Sequence, residues 1–515
     1  MKSDPGGKTM TSWLQRHGFL LGLGLLILAG LGLRYLPLPV SGLSIDDIFT
    51  LVILKPPVSF DSLVLDRAIR VEANPPLYYL LAAGWQALFG DDPAVLKALG
   101  TSIGALALLA AWLLGRKVFP PRVLAMQIAL LAVSYGAIAT GLEARPYSLL
   151  LLFGTIQTCL YFKAERRLRT KGKLANRRLL AIALVGALAA YAHYFGLIFT
   201  GAVFALLLLQ AWRRFDMALQ VIGFGLLTLL FFLPWLIHEL PRQQEVMAEL
   251  SLFWFPDTPE EVFRQFVHFT AYLGGGALTT LILFLAFLAM LAINLRRLRE
   301  PEALPFARVV LHCGALVAIT CVIALVLNIF APMSFARYFL VLLPALYLGV
   351  AAAFELWLQY AESKGWQLLG PLPVLLLTAM LLYPAPILLR DSPDHWGDAV
   401  DFAYQELHCR QGAMPIYQPT GFPDGLVAFD YYLDPLGEEL YADTIERPDR
   451  SLAPLETADP DCRLVAWVHD SYFRDSDIAA RLQRDFGMAL DPETHEAAPP
   501  YRTKAFGPNI LFYRP

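Results

Sequence analysis

Two adjacent carboxylates, Asp46 and Asp47, stand in the segment SGLSIDDIFT, shortly after the first long apolar run of the chain. A carboxylate held at an apolar cleft can serve as a general base, because burial disfavours its charged form. Neighbours in sequence point in different directions on a helix, so at most one of the two faces a given cavity. The same residues also read as a helix start, with Ser44 as N-cap and both acids in the first turn. The two readings are compatible. Further along, GLEARPYSLL places Glu143 and Arg145 on a short turn between two apolar runs. Arg145 has the planar donor fork that grips a phosphate, and a structural Glu143–Arg145 pair is the other reading. MSFARYFLVLLP sets a second cation, Arg337, at the mouth of a later run, where it could face a lipid phosphate or simply anchor the helix end. His193, in AAYAHYFGLIF, lies at the end of another run. It reads more readily as a hydrogen-bonded structural residue than as a metal ligand. No HxxH or CxxC spacing accompanies it, so no metal or other cofactor is predicted, although Glu143 and the aspartates would suit a divalent ion. In EANPPLYYLL, Pro75 and Pro76 fix an extended entry to a short helix that Asn74 could cap.

These residues need apolar helices to hold them. The 515 residues are 57% hydrophobic and 17% charged, against about 45–50% and about 25% in soluble domains. The excess collects in uncharged runs long enough to span a bilayer, for which about 20 residues suffice. Eleven spans are expected, near 18–36, 95–115, 123–142, 147–162, 179–195, 196–212, 217–237, 271–294, 309–330, 338–359 and 367–389. The composition excludes soluble, disordered and disulfide-framework classes. It leaves a polytopic α-helical membrane protein.

Charge sets the expected orientation. Arg116, Lys117 and Arg122, the basic run at 163–178, Arg213 and Arg214, and Arg296, Arg297 and Arg299 all fall on one side if 75–90 is not counted as a span. That side is cytoplasmic by the positive-inside tendency. The stretch 75–90 then reads as a short interfacial helix with Tyr78, Tyr79 and Trp85 at headgroup depth. The N-terminus is expected inside. The first outer loop, about 37–94, and the stretch 238–270 mix charged and apolar residues as surface-lying helices do.

From residue 390 the character changes. The segment 390–515 holds 11 Lys and Arg against 23 Asp and Glu, a net −12, while the rest holds 30 against 21, a net +9. Alternating apolar stretches such as RLVAWVHD and helix-like stretches such as SDIAARLQRDF predict a small α/β domain outside the membrane. Two domains are therefore expected, a membrane domain over 1–389 and an extracytoplasmic one over 390–515. Cys409 and Cys462 could pair there or remain free core thiols. Nothing in the charge pattern favours nucleic acid.

The ordered set of an acidic pair opening the first outer loop, PPLYY, ARPYSLL, HYFG and RYFLVLLP resembles the family-39 type of GT-C membrane glycosyltransferase. Relatives of that type include protein O-mannosyltransferases, the aminoarabinose transferase of lipid A and rhizobial lipopolysaccharide-core transferases. The resemblance covers about 40–220 and the region of 337; the tail matches by layout only. It implies a GT-C fold in a bacterial cytoplasmic membrane, a polyprenyl-phosphate-linked sugar donor, and inverting transfer to a hydroxyl of an envelope glycan, lipid or protein on the periplasmic face. On that pattern Asp46 matches the catalytic aspartate, and Asp47 stands where many members carry Glu. Asn74 stands where many carry His. Arg145 and Arg337 would hold the departing lipid phosphate, with Asn74, Glu143, Tyr147 and His193 lining the cleft. Two other classes compete: a flippase for lipid-linked sugars, and a noncatalytic polysaccharide-assembly subunit. A flippase would need carboxylates or broken helices near mid-bilayer, and the runs contain few ionisable residues.

Overall fold

The computed structural model describes residues 6–38, 43–54, 74–249, 260–261, 264–265, 268–269, 304–330, 334–366, 372–382, 395–418, 426–437, 439–470, 472–473 and 477–515. They fall into two compact units. One comprises Met1–Pro39, Asn74–Arg242 and Leu252–Leu389, and the other Val40–Ala73, Gln243–Ser251 and Arg390–Pro515.

The first unit is helical. In chain order it contains α1 (Gly6–Tyr35), then, after the helix α2 (Ile45–Ile53) that belongs to the second unit, α3 (Leu77–Phe89), α4 (Pro93–Gly115), α5 (Pro121–Val133), α6 (Tyr135–Ala139), α7 (Tyr147–Lys171), α8 (Asn176–Ala192) and α9 (Tyr194–Ala211). Next come α10 (Phe215–Glu249), α11 (Leu304–Phe330), a 3-10 helix (Ala336–Leu342), α12 (Leu343–Ser363) and α13 (Leu372–Leu382). Among the described residues, five helices are long and apolar enough to cross a membrane: Pro93–Gly115, Tyr194–Ala211, Phe215–Glu239, Leu304–Ile329 and Ala336–Ser363. Leu21–Tyr35, Leu77–Phe89 and Pro121–Val133 are shorter apolar helices. The expected span at 271–294 lies outside the described residues, as does the loop stretch 55–73.

Three breaks depart from simple spans. The run expected as one helix over 123–142 is interrupted at Ser134, whose φ of −63° and ψ of 121° end α5 and open α6. The boundary expected between 195 and 196 falls slightly earlier, at His193, in extended backbone with φ −167°. The tenth expected span begins as a 3-10 helix entered from the extended Phe335. Helix α10 runs on to Glu249, into the stretch expected as a separate surface segment. Helix α3 forms where the interfacial helix is expected, and its 13 residues rise only about 20 Å. Pro76, not Asn74, holds its N-cap position, with no side-chain capping bond. The expected role of Asn74 as its cap is therefore corrected: the two prolines start the helix by fixing φ.

Polar groups buried between these helices bond locally. Thr155, Thr158, Thr200 and Thr320 each donate to the carbonyl four residues back. Gln127 donates to the Pro344 carbonyl and Gln157 to Thr200.

The second unit is built on five strands: β1 (Gly412–Ile416), β2 (Leu440–Thr444), β3 (Leu464–His469), β4 (Arg502–Phe506) and β5 (Asn509–Tyr513), in the order β2-β1-β3-β5-β4. β1 runs parallel to β2 and β3, while β5 pairs antiparallel with β3 and β4. Side chains alternate between two faces, as a pleated strand requires. Met414, Ile416, Trp467 and Leu511 pack with a helix at Trp396–Gln405, with Phe429 and Leu433 of the helix Val427–Leu433, and with Ile48 of α2. Ala413, Tyr417, Ala466, Val468 and Phe512 pack on the other face against Ile478 and Leu482 of the helix Ile478–Phe486. Helix α2 thus covers a sheet whose strands begin more than three hundred residues later. A disulfide joins Cys409 to Cys462, and a buried Arg481–Glu446 ion pair ties the last helix to the strand region.

Candidate active site

The acidic pair is divided by its helix. Ser44 caps α2, its Oγ accepting from the Asp47 amide at 3.2 Å, while the Asp47 carboxylate accepts from the Ser44 amide at 3.0 Å. This reciprocal capping box satisfies two amide donors at the helix start. Asp47 is buried and occupied by it; Asp46, one step round the helix, is half-buried. Both belong to the second unit.

The other candidates belong to the first unit. Arg145 is buried in the turn 140–146 that links α6 to α7, with Glu143 half-buried two residues before it. Tyr147 opens α7 and is fully buried. His193 sits at the junction of α8 and α9 as the N-cap of α9, its Nδ1 accepting from the Phe195 amide at 3.2 Å. An accepting Nδ1 places the ring proton on Nε2. The structural reading of this histidine is thereby met, and its Nε2–H remains a donor.

Arg337 lies in the 3-10 helix. Its guanidinium carbon is 5.2 Å from the Tyr147 ring centroid and 5.9 Å from that of Phe335, within cation–π range. Three segments far apart in sequence thus bring the Arg337 guanidinium, the Tyr147 ring and the His193 imidazole together within one unit. Asn74 is half-buried just ahead of α3.

Sequence reasoning missed the hub of this cluster. The Tyr338 ring stands 4.3 Å from His193, 5.9 Å from Tyr147, 5.4 Å from Phe195 and 5.5 Å from Phe335. The RY pair beside Arg337 was the available signal. Among the described residues, no three His, Cys, Asp or Glu side chains are grouped to hold a metal ion.

The fold is similar to that of a solved membrane protein, ArnT. ArnT from Cupriavidus metallidurans in its apo state superposes with a TM-score of 0.55 at 13% identity, covering 98% of both chains. The same protein bound to undecaprenyl phosphate gives 0.52 at 12% identity, over 96% of this chain and 98% of that one. No family model matches the sequence, and no curated protein does.

Proposed function

We propose that this protein is an inverting glycosyltransferase that moves a sugar from a polyprenyl-phosphate carrier to an acceptor hydroxyl at the outer face of a bacterial cytoplasmic membrane. The observation that carries this reading is the Arg337 guanidinium seated over the Tyr147 ring, two residues after Arg145, with Tyr338 between Tyr147 and His193, in a fold similar to that of ArnT. A phosphate leaving group gains negative charge as its bond to the anomeric carbon breaks, and preorganised cations stabilise that charge. Arg145 and Arg337 supply them, and the His193 Nε2–H adds a neutral donor. Glu143, Tyr147 and Asn74 line the same cleft. Asp46 accepts the proton of the acceptor hydroxyl as its oxygen bonds to the anomeric carbon, and the polyprenyl phosphate departs as an anion from the opposite face. Asp47 holds the start of α2 rather than reacting.

A lipid-phosphate carrier is supported by the solved complex of ArnT with undecaprenyl phosphate. The outward orientation of 390–515 is supported by the loop charges and by the Cys409–Cys462 disulfide, which belongs to an oxidising compartment. The eleven-span count and the cytoplasmic N-terminus are part of the same proposal. Envelope glycans, lipids and proteins all remain within the acceptor class.

The test is mass spectrometry of envelope glycans and lipid A in a deletion strain carrying either the wild-type gene or Asp46→Asn. Loss of the base should cut transfer by about 10²–10⁴-fold, leaving the profile of the deletion. A complete wild-type profile from Asp46→Asn would overturn the catalytic reading.

A further inference from the structure

A charged side chain outside the proposed chemistry is buried deep in the first unit. Arg34 lies near the end of α1 and is 1% exposed. A guanidinium among apolar helices must find acceptors, since no water is there to provide them. Its Nη1 donates to the Ala132 carbonyl at 2.6 Å and its Nη2 to the Leu131 carbonyl at 3.0 Å. Those carbonyls lie in the last turn of α5, just before the break at Ser134. The final four carbonyls of a helix lack partners within it. Arg34 therefore caps α5 from a neighbouring helix.

The same break is seated from other sides. A Cβ on Gly30, one turn before Arg34, would lie 2.3 Å from the Ala132 carbonyl oxygen, so only glycine lets α1 approach. The Tyr347 hydroxyl of α12 donates to Ser134 Oγ at 3.0 Å. Beyond the break, α4 holds the turn that carries Glu143 and Arg145. Thr101 Oγ1 lies 3.2 Å from the Gly141 carbonyl, and 3.4 Å from the carbonyl of Arg34 itself. A Cβ on Gly100 would come within 2.6 Å of the Gly141 oxygen and 3.2 Å of the Glu143 oxygen.

We propose that Arg34 is a positioning residue: by capping the broken end of α5 it fixes the turn 140–146, and with it the Arg145 guanidinium. It touches no substrate and acts through the backbone. The consequence for ligand binding rests on the reading of Arg145 given above, whereas the consequence for the turn does not.

Two measurements on the purified full-length protein separate these parts. Hydrogen–deuterium exchange of peptides covering 134–146 reads the turn, and native mass spectrometry with undecaprenyl phosphate as probe reads the site. In Arg34→Gln, exchange over 134–146 should rise about tenfold while peptides of α9 and α12 keep their wild-type rates, and undecaprenyl phosphate binding should weaken about tenfold. Arg34→Lys, which keeps the charge but can serve one carbonyl at a time, should recover part of both. Wild-type exchange over 134–146 in Arg34→Gln overturns the proposal, and so does faster exchange spread evenly over all helices. Accelerated local exchange with unchanged binding overturns the link to Arg145. Should Arg34→Gln fail to fold, Thr101→Val, which removes the hydroxyl that bridges the Arg34 carbonyl and the Gly141 carbonyl of that turn, must speed exchange there; equal rates would overturn the proposal. Failure of the wild-type protein to bind the probe counts against the donor reading and leaves the exchange result as the test of Arg34.

Discussion

Asp46 and Asp47 show how far residue type and spacing carry an argument. Adjacent acids at a helix start cannot do the same work, and the helix separates them: Asp47 is turned inward to the Ser44 amide, and Asp46 is half-exposed one step round. Which of the two would be engaged is not written in the dipeptide; it follows from Ser44 lying three residues before Asp47 as the N-cap. Replacing Asp47 with Asn should cost about 1 kcal/mol of the second unit's stability through the weakened capping box, read as a lowered midpoint of thermal unfolding. His193 was legible as a hydrogen-bonded residue. Tyr338 was not, because its neighbours come from α7, α9 and the stretch before the 3-10 helix, and no periodicity within RYFLVLLP announces partners so remote in sequence.

At the scale of elements, hydropathy found the apolar runs and the division between α8 and α9, and it missed the break at Ser134. The interruption at Ser134 falls inside apolar sequence and is held by two side chains remote in sequence, Tyr347 and Arg34, whereas His193 caps α9 at the end of a run, where the sequence already put it. The α/β character of the tail was visible in its alternation, since residues of β1 and β3 do divide between two packed faces. The participation of α2 was not visible, because a nine-residue amphipathic helix between apolar runs carries no record of the surface it covers. Ile48 is wholly buried among Trp396, Phe429 and Trp467. Truncation to Ala should destabilise the second unit by about 2–4 kcal/mol, the usual range for a buried Ile. Denaturant unfolding followed by the fluorescence of the second unit's tryptophans would measure it. An unchanged transition would detach α2 from that core.

Across the whole molecule, charge and hydropathy divided the chain into a basic apolar part and an acidic tail. The compact units are drawn differently, since 40–73 and 243–251 belong with 390–515. A chain of this kind places a candidate base and candidate cations in different units, the base on a helix that packs with the α/β sheet and the cations among membrane helices. The proposed donor contacts therefore belong to the first unit and the proposed base to the second. Donor binding should then be indifferent to Asp46. The central claim is that Arg145 and Arg337 together hold a polyprenyl phosphate. Native mass spectrometry of the purified protein titrated with undecaprenyl phosphate tests it most directly. The account predicts one bound lipid for the wild type and for Asp46→Asn, with affinity reduced about tenfold or more by Arg145→Gln or Arg337→Gln, as the loss of a charge-assisted phosphate contact requires. Wild-type affinity in the Arg145→Gln, Arg337→Gln double variant would contradict it.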